Sequence, residues 1–433
     1  MPSLPAKPFQ LILMVAFGLL ALFGLFMFAN FKGFDNGQAA VGNVVIWGVL
    51  PEEEMSTQLD TLRSKYPEYA GVTYVERPLA TFGPDLAEAL AISEGPDLIL
   101  ISQEQLVSEQ NKLTVIPYSR LSQRTLRETF VPITELFLTD KGTYGIPFAV
   151  DPLVMYYNRT LLGTAGIPQP PTTWEAVLGM AERLIQRTGG QITRSLIAFG
   201  EYDNVPNARA LISLLLLQSG SLITEPTTLG LQATLSSDSV TENEGSPESA
   251  ITFYTQFSDP AKPVYSWNRA MPDARQAFLA GDLALYFGYV SELPALRAGN
   301  PNLDFDMAPV PQPQRNTVRT TYGRAYAFAI PKASKNGEGA YATALALAGK
   351  DMAPEAARLM SMVPASRGSL MANPEDRYEP VYFPEALVAR GWLSPSPAVT
   401  DSIFTAMIGN ITTGRRDPAQ AIFQADQALD AAL

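Results

Sequence analysis

Between residues 44 and 101 the chain alternates short β-branched runs with amphipathic stretches, and that alternation leaves few folds open. Residues 44–50 (VVIWGVL) are continuously apolar, the pattern of a strand covered on both faces. Pro51 followed by Glu52, Glu53 and Glu54 predicts a helix start, with negative charge on its positive end. Residues 72–75 read as a second strand, 86–92 as a helix, and 97–101 (DLILI), after Gly95-Pro96, as a third strand. Strand, helix, strand, helix, strand implies a parallel sheet with helices on its faces. Ligands of such sheets sit beyond the carboxyl ends of the strands, which puts residues 48–51 and Ser102-Gln103 on the rim of a site.

Past residue 170 the pattern turns helical. Helices are predicted over 173–188, 207–219, 248–257 and 273–280. Thr172 and Glu175 form a capping-box pair, Ser246-Pro247 puts proline at a first helical position, and Gly281 closes the last of these helices. The polar stretch between Glu225 and Glu248 reads as a surface excursion. Residues 283–287 and 325–330 return to strand character, and two helices, 398–412 and 418–431, end the chain.

The chemistry open to such a body is narrow, because its 433 residues contain no Cys and no His. Disulfides, thiolate and imidazole metal sites, and histidine-dependent nucleophiles are therefore excluded. Asp and Glu number 43 against 31 Lys and Arg, a net charge of -12, so the surface does not suit a phosphate backbone and no nucleic-acid partner is expected. No phosphate loop of the G-x-x-x-x-G-K type occurs. No cofactor, no metal and no catalytic residue are assigned.

Residues 9–31 (FQLILMVAFGLLALFGLFMFANF) carry no charge. At about 1.5 Å per residue they span about 34 Å, enough to cross a hydrocarbon core of roughly 30 Å. A cleaved signal normally has a shorter apolar core, followed closely by small residues. The expectation is one N-terminal transmembrane helix: 1–8 cytoplasmic, 9–31 an uncleaved anchor, 32–42 a short polar tether, and an extracytoplasmic body at the cell membrane.

Residues 144–159 (YGIPFAVDPLVMYYNR), then Leu161-Leu162, Ala165-Gly166-Ile167 and residues 170–175 (PPTTWE), resemble the extracytoplasmic solute-binding proteins of ABC importers. The likeness is to their sugar-binding, maltodextrin-binding-protein-like family. Residues 86–97 (LAEALAISEGPD), 277–281 (AFLAG), 329–332 (AIPK) and 364–367 (PASR) continue it in order, over nearly all of 43–433. The resemblance implies an α/β, two-lobed periplasmic-binding-protein-like fold of type II with an interlobe cleft. Lobe one would comprise 43–150 with 322–361, and lobe two 151–321 with 362–433. It implies capture of a sugar or oligosaccharide by hinge closure and delivery to ABC permease subunits, by a monomer that is not an enzyme. The family's Gly-Pro-Trp loop is missing; residues 288–292 read GYVSE.

A polyhydroxyl solute needs flat apolar faces and planar polar groups. Asp151 stands at the family's crossover; its other reading is a carboxylate that caps the hinge. Glu201 and Tyr202 follow an apolar strand and precede a helix, as a lobe-two rim loop does, with helix capping the alternative role for neighbouring Asp203 and Asn204. Trp267, in a polar setting, is either a stacking platform or a packed anchor, whereas Trp174 is assigned to core. Tyr289 and Ser291 follow a strand end, Tyr322 and Arg324 lie at a predicted crossover, and Ser102 and Gln103 complete the rim. Arg367 either donates a fork of hydrogen bonds to solute or ties the last crossover down. The competing functions are a tethered sensor or scaffold with no permease, and a glycoside hydrolase built on a carboxylate pair.

Overall fold

The strand Gly145–Asn158 is 14 residues long, buried along almost its whole length, and carries the chain from one hydrophobic core into another. In the computed structural model, which describes residues 41–228, 230–236, 246–315, 318–371 and 374–433, Ile146 and Phe148 pack with Val44 and Leu98, while Leu153 to Tyr156 pack with Leu196, Phe278 and Phe404. The change of core falls across Asp151-Pro152.

Lobe one begins with β1 (Val44–Gly48), α1 (Glu52–Lys65), β2 (Val72–Glu76), α2 (Phe82–Ala91), β3 (Leu98–Ser102) and α3 (Gln103–Glu109). β1 runs parallel to β2 and β3, with Val44 opposite Val72 and Ile46 opposite Leu98. Leu98 and Leu100 enter one core and Ile99 and Ile101 another, so the apolar run of β3 is explained by burial on both faces. α1 starts with three glutamates and ends with Arg63 and Lys65, matching the helix dipole at both ends.

The long strand is β4 (Gly145–Asn158). Beyond it come β5 (Gln186–Thr188), β6 (Gln191–Ile197), α4 (Ala208–Gln218), β7 (Leu283–Tyr289) and β8 (Phe305–Ala308). The chain then returns along β9 (Thr321–Ala329), adds α5 (Gly337–Leu347), α6 (Ala353–Leu359), β10 (Val363–Pro364) and β11 (Ala389–Arg390), and ends in α7 (Pro397–Thr412) and α8 (Pro418–Asp430). One 11-stranded sheet passes through both lobes in the order β2-β1-β3-β9-β4-β7-β6-β5, with β8 and β10 on β4 and β11 on β9. β9 is antiparallel to both β3 and β4, placing Tyr326 opposite Ser102 and Arg324 opposite Asp151. The result is the mixed α/β, two-lobed architecture that the resemblance implies, with the connecting strands beside the carboxyl end of β3.

Local expectations are corrected in three places. The helix predicted over 173–188 stops early. Trp174–Gly179 and Ala181–Leu184 are helical, but Gln186–Thr188 pairs with β6. Gly189 and Gly190, both at positive φ (60° and 83°), make a hairpin turn that an L side chain resists. The cap of that helix is Thr173, whose hydroxyl accepts from the Ala176 N–H, rather than Thr172. The polar excursion contains a β-ribbon, Thr224–Thr227 against Gly230–Ala233. The apolar segment 9–31, predicted to cross a membrane, lies outside the described residues; among those described, no helix is long and apolar enough to do so.

Candidate interlobe binding site

The site is built where the end of β3 meets the connecting strands. Ser102 caps α3 and its N–H donates to the Gln105 side chain at 3.1 Å, so the chain turns sharply from strand into helix. That turn aims Gln103 at β9: its amide donates to the Gly323 carbonyl at 3.1 Å and accepts from the Ala325 N–H at 2.7 Å. A buried side chain thus continues the β ladder and fixes lobe one on the connecting strand.

Glu104, the next residue, faces lobe two. Its Oε2 accepts from Arg209 of α4 at 2.9 Å and from Arg324 of β9 at 3.1 Å, and its Oε1 accepts from the Tyr322 hydroxyl at 2.5 Å. Only 2% of Glu104 is exposed. Burial by itself raises a carboxyl's pKa, but Arg324 and Arg209, helped by the Tyr322 bond, more than offset it, and Glu104 is held below its ordinary value. Arg209 also bonds Asp401 of α7 at 3.0 Å and the Pro397 carbonyl at 3.0 Å. Asp401 in turn accepts from Tyr202 at 2.6 Å. The Ser394 hydroxyl donates to the Glu104 carbonyl.

Below this ring lies a second layer. The Arg324 guanidinium stacks on Tyr289, 4.2 Å from the ring centroid. The Tyr289 hydroxyl is buried and, among the described residues, has no hydrogen-bond partner. Asp151, 1% exposed, accepts from the Ser291 hydroxyl at 2.6 Å and the Ser291 N–H at 3.1 Å. Burial pushes the Asp151 carboxyl up to about 7, against the opposing pull of those two bonds and of Arg324.

Of the sequence candidates, Gln103, Tyr289, Tyr322 and Arg324 surround Glu104, and Asp151 with Ser291 sits immediately beneath them. Ser102 contributes the turn. Tyr202 joins through Asp401. Glu201 lines a pocket of about 170 Å³ with Tyr202, Asp203, Asn204, Arg269 and Thr405, beside Asp401, and Arg269 is 3.7 Å from its carboxylate. Two candidates stand apart. Trp267 is fully buried in lobe two, its indole N–H bonded to Asn204 at 3.1 Å, which is the packed-anchor role. Arg367 donates to the Phe130 carbonyl at 2.7 Å and ties the last crossover to lobe one. Trp174, assigned to core, packs among Phe199, Phe253 and Phe287.

Three central residues escaped the sequence reading: Glu104, Arg209 and Asp401. Arg209 did leave a signal, since it is the lone charge in the apolar helix ARALISLLLLQ, and a buried guanidinium requires a carboxylate. On lobe one's rim, Arg77 lies 4.0 Å over the ring of Trp47.

The sequence pattern of the family described as bacterial extracellular solute-binding protein matches residues 83–351. A binding protein from Brucella abortus strain 2308 is 39% identical over 64 residues, and the match spans only 15% of either chain. Solved structures align over nearly the whole body. A cyclic alpha-maltosyl-1,6-maltose binding protein from Arthrobacter globiformis gives a TM-score of 0.72 at 17% identity, covering 90% of this chain and 98% of its own. A cyclo/maltodextrin-binding protein complexed with maltotetraose gives 0.69 at 15%, covering 92% and 98%. The maltose/maltodextrin-binding domain from Bdellovibrio bacteriovorus, bound to maltotriose, gives 0.66 at 14%, covering 90% and 99%. With the family pattern spanning more than half of its length and the two lobes meeting at Glu104, this chain belongs to the bacterial extracellular solute-binding proteins.

Proposed function

We propose that this protein captures a neutral carbohydrate, a sugar or short oligosaccharide, between its two lobes and presents it to an ABC importer in the membrane. The observation that supports this most is the convergence on one point of Glu104 from lobe one, Arg209, Asp401 and Tyr202 from lobe two, and Tyr322 and Arg324 from the connecting strand. Planar carboxylate and guanidinium groups beside aromatic rings are what a polyhydroxyl solute requires. Maltotetraose and maltotriose in the structural neighbours point to the same class.

In this reading the lobes are 43–150 with 322–361 and 151–321 with 362–433, hinged at Asp151-Pro152 and Gly323-Arg324. The monomer hangs from the membrane by residues 9–31, its body outside the cytoplasm.

The test is a thermal-shift screen of the full chain in mild detergent against mono- and disaccharides, oligosaccharides, polyols and glycerol phosphates. A carbohydrate at 100 times its dissociation constant is expected to stabilise the fold by roughly 2.7 kcal/mol and to be recovered intact. No shift with any carbohydrate overturns the reading; release of product turns it into a hydrolase.

A further inference from the structure

We propose that Glu104 is an internal counter-ion that fills an arginine seat in the cleft, and that by filling it Glu104 restricts the site to uncharged solutes. The inference rests on carbohydrate capture in this cleft and adds the charge of the solute class.

The seat has the form of an anion site. Arg209 and Arg324 converge on one carboxylate oxygen at 2.9 and 3.1 Å, while a tyrosine hydroxyl takes the other at 2.5 Å. Charge-assisted donors arranged around one acceptor are how a carboxylate or sulfate is recognised. Here the acceptor is supplied by the chain itself, from the opposite lobe to Arg209. An incoming anion finds both guanidiniums engaged and a fixed negative charge in the place it needs.

The two arginines are not equally provided for. Arg209 has a second carboxylate, Asp401, at 3.0 Å. Arg324 makes its ion pair with Glu104, and among the described residues no other carboxylate lies within ion-pair distance of it. It also stacks on the ring of Tyr289 and shares a side-chain hydrogen bond with Tyr326. Arg324 also keeps part of its side chain open, 26% against 9% for Arg209. Neutralising Glu104 therefore leaves one reachable guanidinium without an ion-paired carboxylate, at the level of the connecting strands where both lobes meet. A hydroxyl-bearing solute gains little from that charge, whereas a uronic acid gains a charge-assisted bond.

The experiment compares wild type with Glu104→Gln, which keeps size and hydrogen bonding but removes the charge. Four probes are titrated calorimetrically: maltotriose, mannotriose, trimannuronate and inorganic sulfate. Wild type is expected to refuse both anions. The variant is expected to bind trimannuronate or sulfate at least about tenfold more tightly than wild type does, the scale of one charge-assisted hydrogen bond. Adding Arg324→Gln to the variant is expected to cancel the gain. Should Glu104→Gln not fold, Glu104→Ser, which empties the seat and leaves Arg209 its Asp401, is read the same way. A folded variant with unchanged anion affinity overturns the proposal, and so does a wild type that binds trimannuronate as tightly as a neutral trisaccharide. Sulfate separates the two readings: if no saccharide binds either protein but sulfate binds only the variant, the seat is real and carbohydrate capture is wrong.

Discussion

Glu104 and Arg209 come from different lobes and meet at 2.9 Å with both side chains almost fully buried, at 3% and 9% exposure. This contact joins the two lobes directly. Arg209→Leu is expected to destabilise the protein by roughly 3 kcal/mol, because it leaves the buried Glu104 carboxylate with one arginine instead of two rather than removing the pair cleanly. Urea denaturation followed by tryptophan fluorescence reads the loss. A double cycle with Glu104→Gln is expected to show strong coupling; additive effects would mean that the pair does not join the lobes.

Asp151 and Glu104 make opposite contributions to the pH profile. Asp151 has a folded pKa of about 7, raised above the unfolded value by burial. Its contribution to stability is full below the unfolded carboxyl range and is lost as pH rises from about 4 to about 7. Glu385, buried against Arg319 and also raised to about 7, has the same sign. Glu104, lowered by its arginines, instead loses its contribution as pH falls below the ordinary carboxylate range. Thermal melting from pH 3.5 to pH 8 is therefore expected to show a maximum on the acidic side of neutral. Asp151→Asn, which keeps an acceptor for Ser291, is expected to flatten the alkaline fall in part, because Glu385 and Glu201, both raised by burial, keep their share. An unchanged slope would show that Asp151 is ionised throughout.

Tyr289 separates folding from binding. Its hydroxyl is buried and without a hydrogen-bond partner among the described residues, which is unfavourable for a polar group. Tyr289→Phe is expected to leave the melting point unchanged or slightly higher, while keeping the ring under Arg324. If the hydroxyl meets solute, the same change weakens affinity for the carbohydrate found in the screen by about fivefold, the value of one neutral hydrogen bond. A melting point that falls would give the hydroxyl a structural role instead.

The fold was far more legible than the site, and particular residues show why. β1 and β3 are continuous apolar runs whose alternate side chains fill two cores, a pattern local enough to read directly. The crossover at Asp151 was readable only because residues 144–159 resemble a family, since nothing in the composition of FAVDPLVM marks a change of core. The Gly189-Gly190 turn was written in the chain and overruled the helical periodicity around it. Glu104, Arg209 and Asp401 are separated by 105 and 192 residues and sit in three different helices. Glu104 and Asp401 look like ordinary surface charges or caps until the lobes are folded together, whereas Arg209 stands out only as the lone charge of an apolar helix. Trp267 errs the other way: its polar neighbours suggested exposure, but Asn204 and the loop around it close over the ring.

Trp267 accordingly supplies a prediction with two readouts. Its ring is fully buried and its indole N–H is held by Asn204, whose own amide donates to the Asn268 and Met271 carbonyls at 2.9 and 3.1 Å. Trp267→Ala removes one of the largest buried side chains and leaves the Asn204 carbonyl without its donor. The expected cost is roughly 3–5 kcal/mol from the lost transfer and cavity terms together. Trp267→Phe keeps most of the volume and is expected to cost less, with the unpaired Asn204 oxygen as its main penalty. In either variant, carbohydrate affinity measured below the melting transition is expected to stay within about twofold of wild type, because the ring never reaches the cleft. A stable Trp267→Ala protein that has lost its affinity would return this tryptophan to the solute, as a stacking platform exposed when the lobes part.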